Sequence, residues 1–92
     1  MVGKVRPCLV LTPPPADNEL ALINVIPHTT ALREGNPWQV EIAKLWLKRG
    51  AFHVQQIFNI PPPKLLRLCG TLSIEELTLI KEKLALRLGL RS

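Results

Sequence analysis

Residues 7–12, PCLVLT, form a short apolar run closed on both sides by proline. Such a run fits a strand buried on both faces. PPPADNE at 13–19 cannot continue a helix or a central strand, and Asp17-Asn18 favours a turn. Residues 19–27, ELALINVIP, predict a second strand stopped by Pro27. After a polar loop with Gly35-Asn36 as its turn, WQVEI at 38–42 alternates cleanly. Trp38, Val40 and Ile42 point inward there, with Gln39 and Glu41 outward. AKLWLKRGA fits either a helical turn or a basic loop. FHVQQIFNI at 52–60 predicts one continuous strand, with Phe52, Val54, Phe58 and Ile60 on the inner face and His53, Gln55 and Asn59 on the outer. Gln56 falls on the apolar side and is expected to be buried with partners. LLRLCG at 65–70 predicts a last short strand.

The C-terminal pattern changes period. Ser73 and Glu76 match the S-x-x-E capping box. Leu77, Ile80, Leu84 and Leu88 repeat at helical spacing, and Gly89 stands where a left-handed cap residue belongs. Leu79, Leu86 and Leu90 widen the apolar face beyond what one small core needs. Short strands with hard turns followed by one amphipathic helix predict a single α+β domain: a small twisted barrel or half-barrel with a helix packed on it.

Composition narrows the function classes. The chain has 92 residues, with 47% hydrophobic and 21% charged, enough for one core. No stretch reaches the ~20 apolar residues of a membrane span, and the proline-broken start does not read as a signal peptide. The cytoplasm is the expected compartment. Cys8 and Cys69 read as reduced core thiols. Twelve Lys+Arg against seven Asp+Glu give a net charge of +5, which suits a polyanionic or acidic partner.

The chain carries no phosphate-binding P-loop, no nucleophile elbow and no H-E-x-x-H. His28 and His53 lack metal-ligand spacing, and three of the seven acids lie in the terminal helix. No metal or cofactor is expected. What remains is a set suited to phosphoryl transfer. Arg6 offers a planar fork of donors, and Pro7 holds it extended. Thr29 and Thr30 supply hydroxyls, and His53 and Gln55 supply polar groups on one strand face. RNA brings its own nucleophile in the 2′-OH, so such a site can cut it through charge stabilisation alone. Lys44, Lys48 and Arg49 around Trp46 make a basic loop with an aromatic on which a base can stack. Each piece also has a plain reading: a solvated terminal arginine, a capped turn, a surface histidine, a solvated loop.

In order along the chain, GKVRPCLVLT, NVIPHTT, NPWQVEI, GAFHVQQIFNI and RLCGTLSIEELTLIKEKLALRLGL resemble the motifs of the MazF/PemK toxins of bacterial toxin–antitoxin pairs. The resemblance spans nearly the whole chain. It implies an SH3-like barrel with a C-terminal helix, usually homodimeric, here lacking the usual first strand and loop ahead of GKVRP. It implies a metal-independent endoribonuclease that cuts single-stranded mRNA through the 2′-OH, with an acidic antitoxin as partner. Carried onto this sequence, Arg6 stabilises the phosphate or moves a proton, Thr29 hydrogen-bonds the scissile phosphate, and Gln56 is a buried structural glutamine. Lys4, Thr30, Lys44, Trp46, Lys48 and Arg49 are the expected RNA contacts. Gln55 stands where the family usually has aspartate, and His53 where some members have arginine. Histidine can take up the proton-transfer task, because its ordinary pKa is near neutrality. The alternatives are a catalytically silent toxin-fold module that binds antitoxin, RNA or another toxin chain, and an unrelated SH3-like interaction domain.

Overall fold

The computed structural model describes residues 5–90. Five antiparallel strands and one helix follow in order: β1 Cys8–Val10, β2 Ile23–Thr29, β3 Gln39–Glu41, β4 Ala51–His53, β5 Phe58–Ile60 and α1 Ile74–Arg87. The sheet runs β1-β2-β4-β3, and β5 also pairs with β2. Among the described residues it does not close on itself, so the α+β fold is that of an open, incomplete barrel with a helix against it.

The long strand β2 organises the sheet. On one edge it pairs with β1, Leu9 opposite Ile26. On the other it pairs first with β5, Val25 opposite Phe58, and then with β4, His28 opposite Phe52. Between β4 and β5 lies a 3-10 turn, Val54–Gln56. Its three residues have no partners on β2 and shift the register by that number. An odd insertion swaps the faces of a strand whose side chains alternate with period two. FHVQQIFNI is therefore two strands, not one. Gln56 is exposed, contrary to the sequence expectation, and Ile57 packs against the core in its place. Phe58 turns outward.

The core joins Ile26, Val40, Ile42, Leu47, Phe52 and Val54 to Ile80 of α1. The alternation at 38–42 holds: Val40 and Ile42 are buried and Glu41 is exposed. The helix starts as its sequence predicts. The Glu76 N–H donates to Ser73 Oγ (3.1 Å), and the Ser73 N–H donates to Glu76 Oε1 (2.8 Å). Gly89 has φ 74°. The strand expected at 65–70 does not form. A 3-10 turn, Pro62–Lys64, leads into an irregular exposed segment where leucine supplies hydrophobicity without alternation. Gly70 lies so close to the Trp46 ring that a Cβ there would overlap it. Cys69 is exposed, so it is not the core thiol expected; both cysteines are free.

Candidate active site

The face of the sheet turned away from the helix carries the polar groups. The β1–β2 pairing continues past Cys8, because the His28 N–H donates to the Pro7 carbonyl (3.0 Å). Continuing that register sets Arg6 across from Thr29. Thr29 is opposite Ala51, and Ala51 is opposite Glu41. Arg6, Thr29, Ala51 and Glu41 thus form one row across four strands, with paired residues on the same face. Cys8 opposite Pro27 and His53 opposite Gln39 lie in the next row. Arg6 is exposed and Thr29 half-buried. Arg6 precedes β1 and lies opposite the end of β2, where the backbone pairing ceases and side chains can reach solvent.

His53 is held from both sides. Gln39 Nε2 donates to His53 Nδ1 (3.4 Å), and His53 Nε2 faces Gln55 Oε1 (3.4 Å). The tautomer that satisfies both contacts carries its proton on Nε2. The ring is only 9% exposed, so the plain surface histidine is not what forms. Gln39 also donates to the Ala31 carbonyl (3.1 Å) and accepts from the Arg33 N–H (2.7 Å), tying the loop after β2 to the histidine. Sequence reading places Gln39 on the outer face without giving it a role. The signal is available there: alternation at 38–42 and at 52–53 puts Gln39 and His53 on the same outward face, and antiparallel pairing makes them neighbours.

Thr29 Oγ1 accepts from the Ala31 N–H (3.0 Å), a local turn bond, and its own hydrogen remains to be donated. Thr30 is exposed beside it. Gly50 lets β2 and the chain entering β4 approach closely, since a Cβ there would meet the Thr29 carbonyl and the His28 ring. Burial raises the Cys8 pKa, with the Cys69 thiol adding to it, so Cys8 stays a protonated thiol in this face.

The basic loop divides. Lys44 pairs with Glu76 of α1 (Nζ–Oε1 2.6 Å), which ties it toward the helix and lowers the Glu76 pKa, helped by the Ser73 hydrogen bonds. Trp46 packs on Gly70 and remains partly exposed. Lys48 and Arg49 line an open cleft of about 350 Å³ with Lys44 and Glu41. A second open cleft of about 450 Å³ lies between the 32–36 loop and Gln39, Glu41 and Arg49. The structure thus brings Arg6, Thr29, His53 and Gln55 to one face, with Arg49 at its border, ties Lys44 to the helix and packs Trp46 on Gly70 in the segment that leads into it. Lys4 lies outside the described residues.

An open antiparallel sheet with one helix packed against it, basic overall and carrying a polar row on its outer face, defines a small α+β domain. The family model for the PemK-like, MazF-like toxin of type II toxin-antitoxin systems matches residues 1–88, and the chain belongs to that family. A comparison with curated proteins finds no match. Among solved structures, a MazE–MazF crystal structure from Deinococcus radiodurans is similar over 94% of this chain and 87% of that one, at 21% identity and TM-score 0.78. The Mycobacterium tuberculosis toxin MazF-mt6 is similar over 95% and 89%, at 22% identity and TM-score 0.72. These likenesses carry the fold. Among the described residues, no helix is long and apolar enough to cross a membrane.

Proposed function

We propose that this chain is a toxin-type endoribonuclease that cuts single-stranded mRNA in the cytoplasm through the RNA's own 2′-OH. The observation that carries the reading is the register that sets Arg6 across from Thr29 on the outer face, one row from His53. The 2′-oxygen bonds to the adjacent phosphorus, and the bond from phosphorus to the 5′-oxygen breaks. The products are a 2′,3′-cyclic phosphate and a 5′-hydroxyl. Charge gathers on the nonbridging oxygens, where the Arg6 fork and the Thr29 hydroxyl donate. The 2′-OH proton must leave and the 5′-oxygen must gain one. His53 is the group of this face suited to exchange both, with Gln39 orienting its ring. Lys48, Arg49 and Thr30 follow the RNA backbone on either side, and Trp46 offers a ring on which a base can stack.

The partner in this reading is an acidic antitoxin. It fits the net charge of +5 and the toxin–antitoxin family to which the chain belongs. A homodimer is part of the same proposal. Val10 and Phe58 flank Val25 at the apolar end of the outer face and are 42% and 44% exposed, and Leu79 and Leu86 of α1 and Leu88 just after it are exposed. Light scattering is expected to give twice the chain mass; a monomer at high concentration contradicts the dimer.

The test of catalysis is digestion of a long single-stranded RNA in EDTA. Fragments ending in cyclic phosphate, lost with Arg6→Ala and with Thr29→Ala, support the reading. Absence of cutting by the wild type at micromolar concentration overturns it and favours the silent binding module, a reading to which the exposed amide of Gln55 is already suited.

A further inference from the structure

The acid in the polar row has no place in the chemistry proposed above. Glu41 is exposed at the end of the row that begins at Arg6, in a surface otherwise arranged for phosphate. Arg49 lines both clefts with it, yet among the described residues Glu41 has no ion-pair partner. A carboxylate only accepts hydrogen bonds, so a phosphate cannot be its ligand. Whatever it binds in an RNA must offer N–H or O–H donors.

We infer that Glu41 reads a guanine base beside the bond that is cut. This deepens the ribonuclease reading and rests on it for the position of the bond. Of the four RNA bases, guanine alone carries two adjacent donors on its pairing edge, N1–H and the N2 amino group. They match the two oxygens of one carboxylate. Uracil has a single N–H between two carbonyls, which would face the carboxylate with like charge. Adenine and cytosine place one amino group beside a ring acceptor. Unstacked bases of single-stranded RNA are read along these edges.

The geometry supplies the reach. Glu41 is two strands from Thr29, roughly 10 Å at the ~4.8 Å spacing of a sheet. A base attached next to a phosphate held at Thr29 spans that interval. The residue between them is Ala51, whose small side chain is fully buried and presents no group of its own to the base. The open cleft of about 450 Å³ beside Glu41 has room for a base. One wall is the 32–36 loop, and Gln39 fixes that loop through the Arg33 N–H and the Ala31 carbonyl. A fixed wall keeps the ordering cost of binding low. Arg33 and Arg49 line the same cleft, together with Glu34, and the two arginines suit the phosphates on either side of the base.

The experiment has two arms. In the first, anisotropy measures binding of labelled 2′-O-methyl uridine decamers, which cannot be cut, carrying one central guanosine, inosine or adenosine. Inosine lacks only the N2 amino group. The wild type is expected to bind the guanosine decamer about tenfold more tightly than the other two, the discrimination of one good paired contact. Glu41→Gln should bring the three within about twofold. Glu75→Gln, an equal charge change on the helix, should keep the preference. Glu41→Gln is expected to fold, because among the described residues the Glu41 side chain makes no hydrogen bond or ion pair; an unchanged melting curve verifies this. In the second arm, cut positions are mapped on a long RNA. The wild type should hold guanine at one fixed position beside the cut, and Glu41→Gln should release it. No guanine preference in binding, or a preference that survives Glu41→Gln, overturns the inference. Cutting without guanine at a fixed position overturns it too. Guanine-selective binding without any cutting leaves Glu41 as the reader and removes the ribonuclease reading alone.

Discussion

The two ends of β2 face the same way and carry opposite chemistry. At the end that meets β5, Val25 lies between Val10 and Phe58 and is fully buried. At the end that meets β4, Thr29 lies between Arg6 and Ala51 in a row that runs on to Glu41. The backbone continues through both ends in one strand. The difference comes from the neighbours, and the neighbours are set by the turn Val54–Gln56, which re-phases the opposite edge. An apolar patch and a polar patch therefore share a strand without sharing a register. One end asks for stability and the other for exposed, polar, partly unsatisfied groups, and substitutions should separate the two demands.

The largest separation is expected at Arg6. Arg6→Ala should lower the rate of RNA cutting by about 10²–10³, the loss that follows removal of one donor from a developing anion. Its melting temperature should stay that of the wild type, because the side chain is exposed. A variant that melts early as well as cutting slowly would break the division. Gly50→Ala strikes the polar end through its backbone. The added methyl meets the Thr29 carbonyl and the His28 ring, and about 2–3 kcal/mol should be lost. Calorimetry should read this as a drop of roughly 10–20 °C. Val25→Ala probes the apolar end. It should cost about 2 kcal/mol and weaken self-association, with cutting per folded molecule retained. Denaturant titration and light scattering measure both.

The smallest effect is expected from His28, which lies on the helix face at the junction of the two ends. Its ring is buried edge-on to Phe52, and among the described residues its Nε2 has no partner. Burial lowers its pKa below the usual histidine value. The unfolded chain therefore takes up the proton first as pH falls. Stability is full above about pH 6.5 and declines below it as pH falls toward the lowered folded pKa. Melting temperatures taken from pH 7 downward should show this slope in the wild type and a flatter one in His28→Leu.

Much of the frame is legible in the sequence for identifiable reasons. The helix announces itself through the Ser73–Glu76 box and Gly89, and both features form. Strict alternation at 38–42 places Val40 and Ile42 inside. The misreadings share one cause, which is hydrophobicity taken as a strand where pairing decides. Residues 65–70 are rich in leucine but pair with nothing in the sheet. The second strand begins at Ile23, four residues later than expected, and runs on through Pro27 to Thr29, because Pro27 sits where its missing N–H is not needed for pairing. Within 52–60 no glycine, proline or aspartate marks the turn at Val54, so simple alternation puts Gln56 and Phe58 on the wrong side. For the site, motif order singles out Arg6 and Thr29, but only the register sets them face to face. Gln39 and Glu41 read as outward-facing residues of a strand; their neighbours come from chain segments too distant for local pattern to join.

The Val54–Gln56 turn has a consequence for how such a domain can change over time. Because it absorbs three residues between β4 and β5, side chains on either side of it are not locked to a common alternation. Exchanges at His53 or Gln55 leave the orientation of β5 as it was, and exchanges at Phe58 leave the polar row undisturbed. The loss or gain of a single residue within the turn would do the reverse, turning β5 over and exposing Ile57 in place of Phe58. The joint thus makes point substitutions independent and length changes severe, so the two surfaces can be remodelled separately as long as its length is kept.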